Sequence, residues 1–311
     1  MNILIAIDSS ATAQAALAAT LAREWPACTE FRILTVLPQK GRTNEHDSIS
    51  RELYDANRAL DEAISKIETF NPDSIVMGHL DVGDPAKCIL KLAESWPANL
   101  IVLGSKERGP VERIFSRSVS RTVLQEAGAS VLVARNIEEP AEVNRILVVV
   151  DESYNSRTAV DSLLASKWPK NTLFKLVSAA EIDRGIYAFQ PNGAAYIGAI
   201  ELHKEYLYGI RETLDRTKAR IEDRFGPGSV ECVVTEGTPV QVVLDVAKDW
   251  EPHLIVVGSD ERPGLALKVF GSLSQTLALK APCSVQAVRM PILPIPSGVK
   301  SVRRLQRAAN F

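Results

Sequence analysis

The stretch "NILIAIDSSATAQAALAATLAREWPACTEFRIL" (residues 2–34) aligns without a gap on "RILVVVDESYNSRTAVDSLLASKWPKNTLFKLV" (residues 145–177). Asp8 meets Asp151, Ser10 meets Ser153, Trp25-Pro26 meets Trp168-Pro169 and Phe31 meets Phe174, each at an offset of 143. Further along, Gly83-Asp84-Pro85 meets Gly237-Thr238-Pro239, Trp96 meets Trp250 and Gly104-Ser105 meets Gly258-Ser259, at an offset of 154. A repeat this long is a duplicated domain, not a solenoid unit. The growth of the offset from 143 to 154 gives the second half 11 additional residues. They fall in the region 178–209, where "RGIYAFQPNGAAYIG" has no counterpart. The expected organisation is one domain over residues 1–137, a second over 143–290 and a tail over 291–311. The join is the short polar stretch "NIEEPAEVN", typical of a linker.

Within each half, short apolar runs alternate with helical patterns. "ILIAI", "RILTV", "SIVMG", "NLIVL" and "SVLVA" in the first half are branched and apolar throughout, as parallel strands buried on both faces are. Residues 11–24, 51–69 and 113–126 fit helices, and Pro85 suits the first position of another. Leu53, Ala56, Leu60, Ile64 and Ile67 fall at helical spacing. This alternation predicts an α/β architecture with two doubly wound, five-stranded parallel sheets in tandem. With strand order 3-2-1-4-5, ligands bind beyond the carboxyl ends of strands one and four, where the order reverses. Asp8 and Asp151 end the first strands, and Gly104 and Gly258 follow the fourth, so each pair converges on one crevice.

Composition bounds the function. The 311 residues are 46% hydrophobic and 24% charged, as in an ordinary soluble protein. A formal net charge of −2 gives no global field toward nucleic acid or anionic membrane. The cysteines (Cys28, Cys88, Cys232, Cys283) are scattered, which suits a reducing compartment better than a zinc site or disulfide framework. With no signal-peptide pattern or membrane span, the expected location is cytoplasmic. None of His46, His79, His203 and His253 recurs between the halves or sits at metal-ligand spacing. Nucleophile-elbow, zinc-protease and P-loop motifs are absent.

Three features recur in both halves: an aspartate–serine turn after strand one ("DSS", "DES"), a "GDP" or "GTP" turn opening the third helix, and a glycine–serine loop after strand four. Together they resemble the universal stress protein family in its tandem two-domain form, from Met1 to about Arg289. The resemblance implies a Rossmann-like, flavodoxin-like fold and a stress-response sensor or adaptor rather than an enzyme in its own right. It also implies a pseudo-dimer of the two halves through the fifth strands ("SVLVA", "SVQAV"). Further homo-oligomerisation and the protein partner stay open.

ATP-binding members of that family carry a loop of the form G-x-x-G-x9-G-[ST]. Glycines let the backbone approach phosphate oxygens, and the next helix supplies amide donors. Here the corresponding positions are Gly104, Glu107, Arg117 and Ser118 in the first half, and Gly258, Glu261, Gly271 and Ser272 in the second. A carboxylate about 4 Å from a phosphate charge costs on the order of 4 kcal/mol at an effective dielectric near 20. Arg117 adds bulk; it can offer its guanidinium to phosphate or, in the favoured reading, pair with Glu107 and fill the first site from within. The second half is therefore the better candidate for residual, weak adenine-nucleotide binding, with ATP or AMP and magnesium as the expected ligands. The resemblance implies adenine near Ala179, the counterpart of Val36, with Asp151 beside base or ribose and Ser105 or Ser259 in the loop.

The alternatives are an interaction module with both sites occluded and a slow ATPase using Glu261 as base. Asp8 and Asp151 can equally cap the first helix of each half. The tryptophans at 25, 96, 168 and 250 fit core packing under loops better than stacking on a ligand. The tail, with Lys300, Arg303, Arg304 and Arg307, is expected to be poorly ordered; a basic amphipathic helix is its other reading.

Overall fold

A computed structural model describes residues 1–8, 11–37, 46–105, 115–135, 143–181, 194–259 and 272–290. The expectations for Glu107, Arg108, Glu261, Arg262, Gly271, most of the insertion's first part and the tail lie outside these residues.

The first half runs β1 (Asn2–Ile7), α1 (Ala11–Leu21), β2 (Glu30–Leu37), α2 (His46–Phe70), β3 (Ile75–Val82), α3 (Pro85–Ser95), β4 (Leu100–Gly104), α4 (Phe115–Glu126) and β5 (Ser130–Ala134). The second repeats it: β6 (Asn144–Val149), α5 (Tyr154–Ala165), β7 (Thr172–Ala180), α6 (Ala194–Phe225), β8 (Val230–Glu236), α7 (Pro239–Trp250), β9 (Leu254–Gly258), α8 (Ser272–Lys280) and β10 (Ser284–Val288). The extra length of the second half appears in part in α6, which has 32 residues against 25 in α2.

Among the described residues, the ten strands form one sheet in the order β3-β2-β1-β4-β5-β10-β9-β6-β7-β8. Each half has the expected 3-2-1-4-5 order, with parallel pairing inside it. The halves meet where β5 pairs antiparallel with β10, Leu132 opposite Gln286. All five residues of each of these strands are buried, so neither fifth strand is an exposed edge.

Two apolar layers cover the sheet. One is built on Ile3, Ile5, Phe31, Ile67, Phe174 and Ile221 with α1, α2, α5 and α6. The other uses Leu4, Ile101, Leu124, Val243, Ile255 and Leu277 with α3, α4, α7 and α8. Alternate residues of a strand face opposite layers, so Ile3 and Leu4 of one strand serve different cores.

The "GDP" and "GTP" turns have a backbone cause. Gly83 and Gly237 take φ of +150° and +145°, a region that L side chains avoid. Pro85 and Pro239 then open α3 and α7, and Asp84 caps α3 by accepting from the Lys87 amide at 2.9 Å.

The seam is tied by two arginines just beyond the fifth strands. Arg135 donates from Nη2 to the Ala278 carbonyl at 2.6 Å and from Nη1 to the Cys283 carbonyl at 2.8 Å. Its counterpart Arg289 donates from Nη1 to the Ala127 carbonyl at 2.6 Å. Each half thus sends a buried cation to the carboxyl end of the other half's last helix, the end whose dipole favours positive charge. The offset of 154 between "VAR" (133–135) and "AVR" (287–289) carried this signal, yet the arginines follow strands rather than sitting in a recognisable site.

Candidate functional site

The crevice of the second half is built where β6 and β9 end side by side. Gly258 closes β9, and a Cβ placed there would lie 2.5 Å from both the carbonyl carbon and the oxygen of Asn155. That is the first turn of α5, so this glycine is required by helix-on-strand packing. Ser259 follows and donates its amide to the Val288 carbonyl at 2.9 Å. Its side chain is turned inward, 1% exposed, and Oγ has no hydrogen-bond partner among the described residues. A buried hydroxyl without a partner is unfavourable.

Asp151 stands beyond β6 on an exposed turn. Its Oδ1 accepts from the Ser153 amide at 2.8 Å, and its own amide donates to Ser156 Oγ at 3.0 Å. Ser153 is the N-cap of α5, accepting from the Ser156 amide at 3.0 Å. The capping expectation for Asp151 is corrected accordingly: the helix needs an oxygen one turn in, and Ser153 supplies it while Asp151 fixes the preceding turn. Ala179 is half-buried on β7, paired with Thr235. Ser272 is exposed and opens α8.

In the first half, Asp8 is exposed, and Gly104 and Ser105 end β4 and follow it, with the Ser105 amide donating to the Ala134 carbonyl at 2.8 Å. Val36 pairs with Asp81 on β2 and β3. Among the described residues α4 spans Phe115–Glu126 and α8 spans Ser272–Lys280, so Arg117 and Ser118 are helical. Arginine propagates a helix well where glycine would weaken it.

Two of the histidines belong to the sheet and its edge loops. His253 Nδ1 accepts from the Arg145 amide at 2.9 Å, and burial, then Arg145, lowers its pKa. His79 lies inside β3 rather than at its end, its pKa lowered by burial and then by Arg32. The tryptophans pack as expected, but each also meets a cation: Arg23 lies over Trp25 and Trp168, Arg32 over Trp96 and Lys175 over Trp250, with centre distances of 4.2, 5.1, 4.4 and 4.9 Å. Among the described residues, no group of three His, Cys, Asp or Glu could hold a metal ion. No described helix is long and apolar enough to cross a membrane.

Two doubly wound α/β units, each with a glycine–serine turn at its switch point, define a tandem of Rossmann-like domains. The sequence model of the universal stress protein family matches residues 1–135 and again residues 142–289. The chain belongs to the universal stress protein family. It is 26% identical over 149 residues to Universal stress protein Sll1388 of Synechocystis sp., an alignment covering 47% of this chain and 97% of that protein. Its fold is similar to a universal stress protein from Archaeoglobus fulgidus, with TM-score 0.62, 18% identity and coverage of 93% and 98% of the two chains. It is also similar to PA1789 of Pseudomonas aeruginosa, a protein described as functionally unknown, with TM-score 0.55, 14% identity and 92% coverage of each chain.

Proposed function

We propose that this chain is a stress-response sensor or adaptor that binds an adenine nucleotide weakly in its second half only, beyond the carboxyl ends of β6 and β9. The observation that carries this reading is Ser259. Its buried hydroxyl, without a hydrogen-bond partner among the described residues, lies just after β9, at the end of the strands where such folds take their ligands. A phosphate oxygen is an acceptor that would satisfy it. Ser272 opens α8, and the first-turn amides of a helix are donors suited to a phosphate. The Asp151 carboxylate is exposed and held by the Ser153 amide, which supports a role in contacting ribose or base.

In the first half, Arg117, a residue of α4, stands where a G-[ST] pair would put its glycine, and its side chain adds bulk where the backbone should approach a phosphate. That supports loss of binding there. Calorimetric titration with ATP and AMP, with and without magnesium, tests the reading. One site per chain is expected, and Ser259→Ala should weaken ATP about tenfold, the order of one charge-assisted hydrogen bond. Glu261→Gly should tighten ATP more than AMP. Absence of heat with both nucleotides, or two equivalent sites, would reject it.

A further inference from the structure

A cleft of about 740 Å³ lies at the seam between the halves, away from the first half's crevice. It opens at the amino ends of β1, β4 and β5 and the carboxyl end of β10, and runs along α5. Its wall is largely apolar, with Leu90, Ala93, Leu100, Ala165 and Val288 among the lining residues. Its volume falls in the range of small-molecule sites.

Two polar side chains of this cleft break the internal symmetry. Arg23 occupies the place that Ser166 holds in the second half, and Gln286 the place that Leu132 holds in the first. Both lack partners. Arg23 is 6% exposed, and its Nε and Nη2 are buried with no hydrogen-bond partner among the described residues. Gln286 is 4% exposed, and its Oε1 is buried without one. The two tryptophans that sandwich Arg23 come from the twin Trp-Pro turns, one from each half. They hold the guanidinium in place, but an aromatic face replaces only part of the hydration a cation loses on burial. Burial lowers the Arg23 pKa to about 9, so it remains a cation at neutral pH.

We propose that the seam cleft is a binding site for a small amphipathic monocarboxylate, its head on Arg23 and Gln286 and its apolar body along the α5 wall. A carboxylate supplies the counter-charge and acceptors that Arg23 lacks, in the bidentate geometry guanidinium favours. Gln286 meets the ionised head with its Nε2 donor, and a hydroxyl or amide beside the carboxylate would satisfy its Oε1 as well. Four carboxylates stand at the rim and are exposed. Glu24 faces Lys167 at 3.7 Å and Asp161 faces Arg220 at 2.6 Å, while Glu94 and Glu126 add negative charge. This rim disfavours polyanions, so the site is distinct in chemistry from a phosphate crevice.

Sodium octanoate, octan-1-ol and inorganic phosphate, titrated into the full chain by calorimetry and by tryptophan emission, test the assignment. Octanoate should bind once per chain and shift the emission of Trp25 and Trp168, at least tenfold tighter than octan-1-ol or phosphate. Arg23→Ser and Gln286→Leu restore the residues of the other half and so keep the fold. Arg23→Ser should weaken octanoate at least tenfold and leave octan-1-ol unchanged; Gln286→Leu should weaken it several-fold. Arg23→Lys, which keeps the charge but loses the planar fork, should fall between. No saturable octanoate binding, equal affinity for octan-1-ol, tighter binding of phosphate, or full affinity in Arg23→Ser would each overturn the proposal.

Discussion

Gly258 shows how one residue can answer to two demands. In the sequence it stands at the first position of a phosphate loop, and glycine there suggests ligand contact. In the structure its missing Cβ is required by Asn155, 103 positions away, whose backbone leaves 2.5 Å for an added carbon. Gly258→Ala must push α5 off β9 or bend the strand, and overpacking of this kind costs about 1–3 kcal/mol. A urea titration should show the lower midpoint without nucleotide present, whereas a glycine serving only a ligand would leave stability untouched. Such close approaches are long-range properties, and no local pattern reveals them. Ser259 was legible as a loop residue because it recurs as Ser105. Its inward turn was not, since burial of a hydroxyl depends on what packs above it. The same holds for Arg23: an arginine near a helix end looks solvated until the second Trp-Pro turn is seen to close over it.

At the level of elements, the first strand of each half is held by a side chain from the start of the fourth. In the first half, the Asn2 amide donates to Asn99 Oδ1 at 2.7 Å. In the second, the Arg145 amide donates to His253 Nδ1 at 2.9 Å. The contact is the same, and only the acceptor can be protonated. Because burial and Arg145 hold the folded pKa of His253 below its ordinary value of 6.5, the unfolded chain takes up protons first. The stability due to this group is therefore full above about pH 6.5 and falls as the pH drops through the lowered folded value. His253→Asn copies the first half and should keep stability at pH 7.5 while flattening its loss between pH 6.5 and 5. Urea midpoints across that range, compared with wild type, measure the difference; identical slopes would remove His253 as a cause. Strand and helix identities were largely legible, because each half repeats the pattern of the other. Boundaries were less so: α1 ends at Leu21, before the expected Glu24, and α2 starts at His46, before Arg51. Helix ends are set by caps and neighbours more than by periodicity.

For the whole molecule, the decisive contact is the antiparallel pairing of β5 with β10. It turns two five-stranded sheets into one and leaves β3 and β8 as the edges. Residues 1–135 on their own would expose β5, a strand buried at every position, and a bare apolar edge seeks another strand. A second copy is geometrically suited to supply it. Leu132 sits opposite its own counterpart position, Gln286, so two copies of β5 can pair about a twofold axis through Leu132. Arg135 would then reach the end of the other copy's α4, as Arg289 does here. The 1–135 fragment is accordingly expected to be a dimer at micromolar concentration in sedimentation equilibrium, with helical and strand content preserved in circular dichroism. Arg135→Ala in the fragment removes hydrogen bonds from a charged donor, each of which is worth about 1.5–3 kcal/mol. It should raise the dimer dissociation constant at least tenfold, since about 1.4 kcal/mol is one decade. A folded monomer at those concentrations would show that the seam is held by the covalent join between the halves rather than by the complementarity of the two fifth strands.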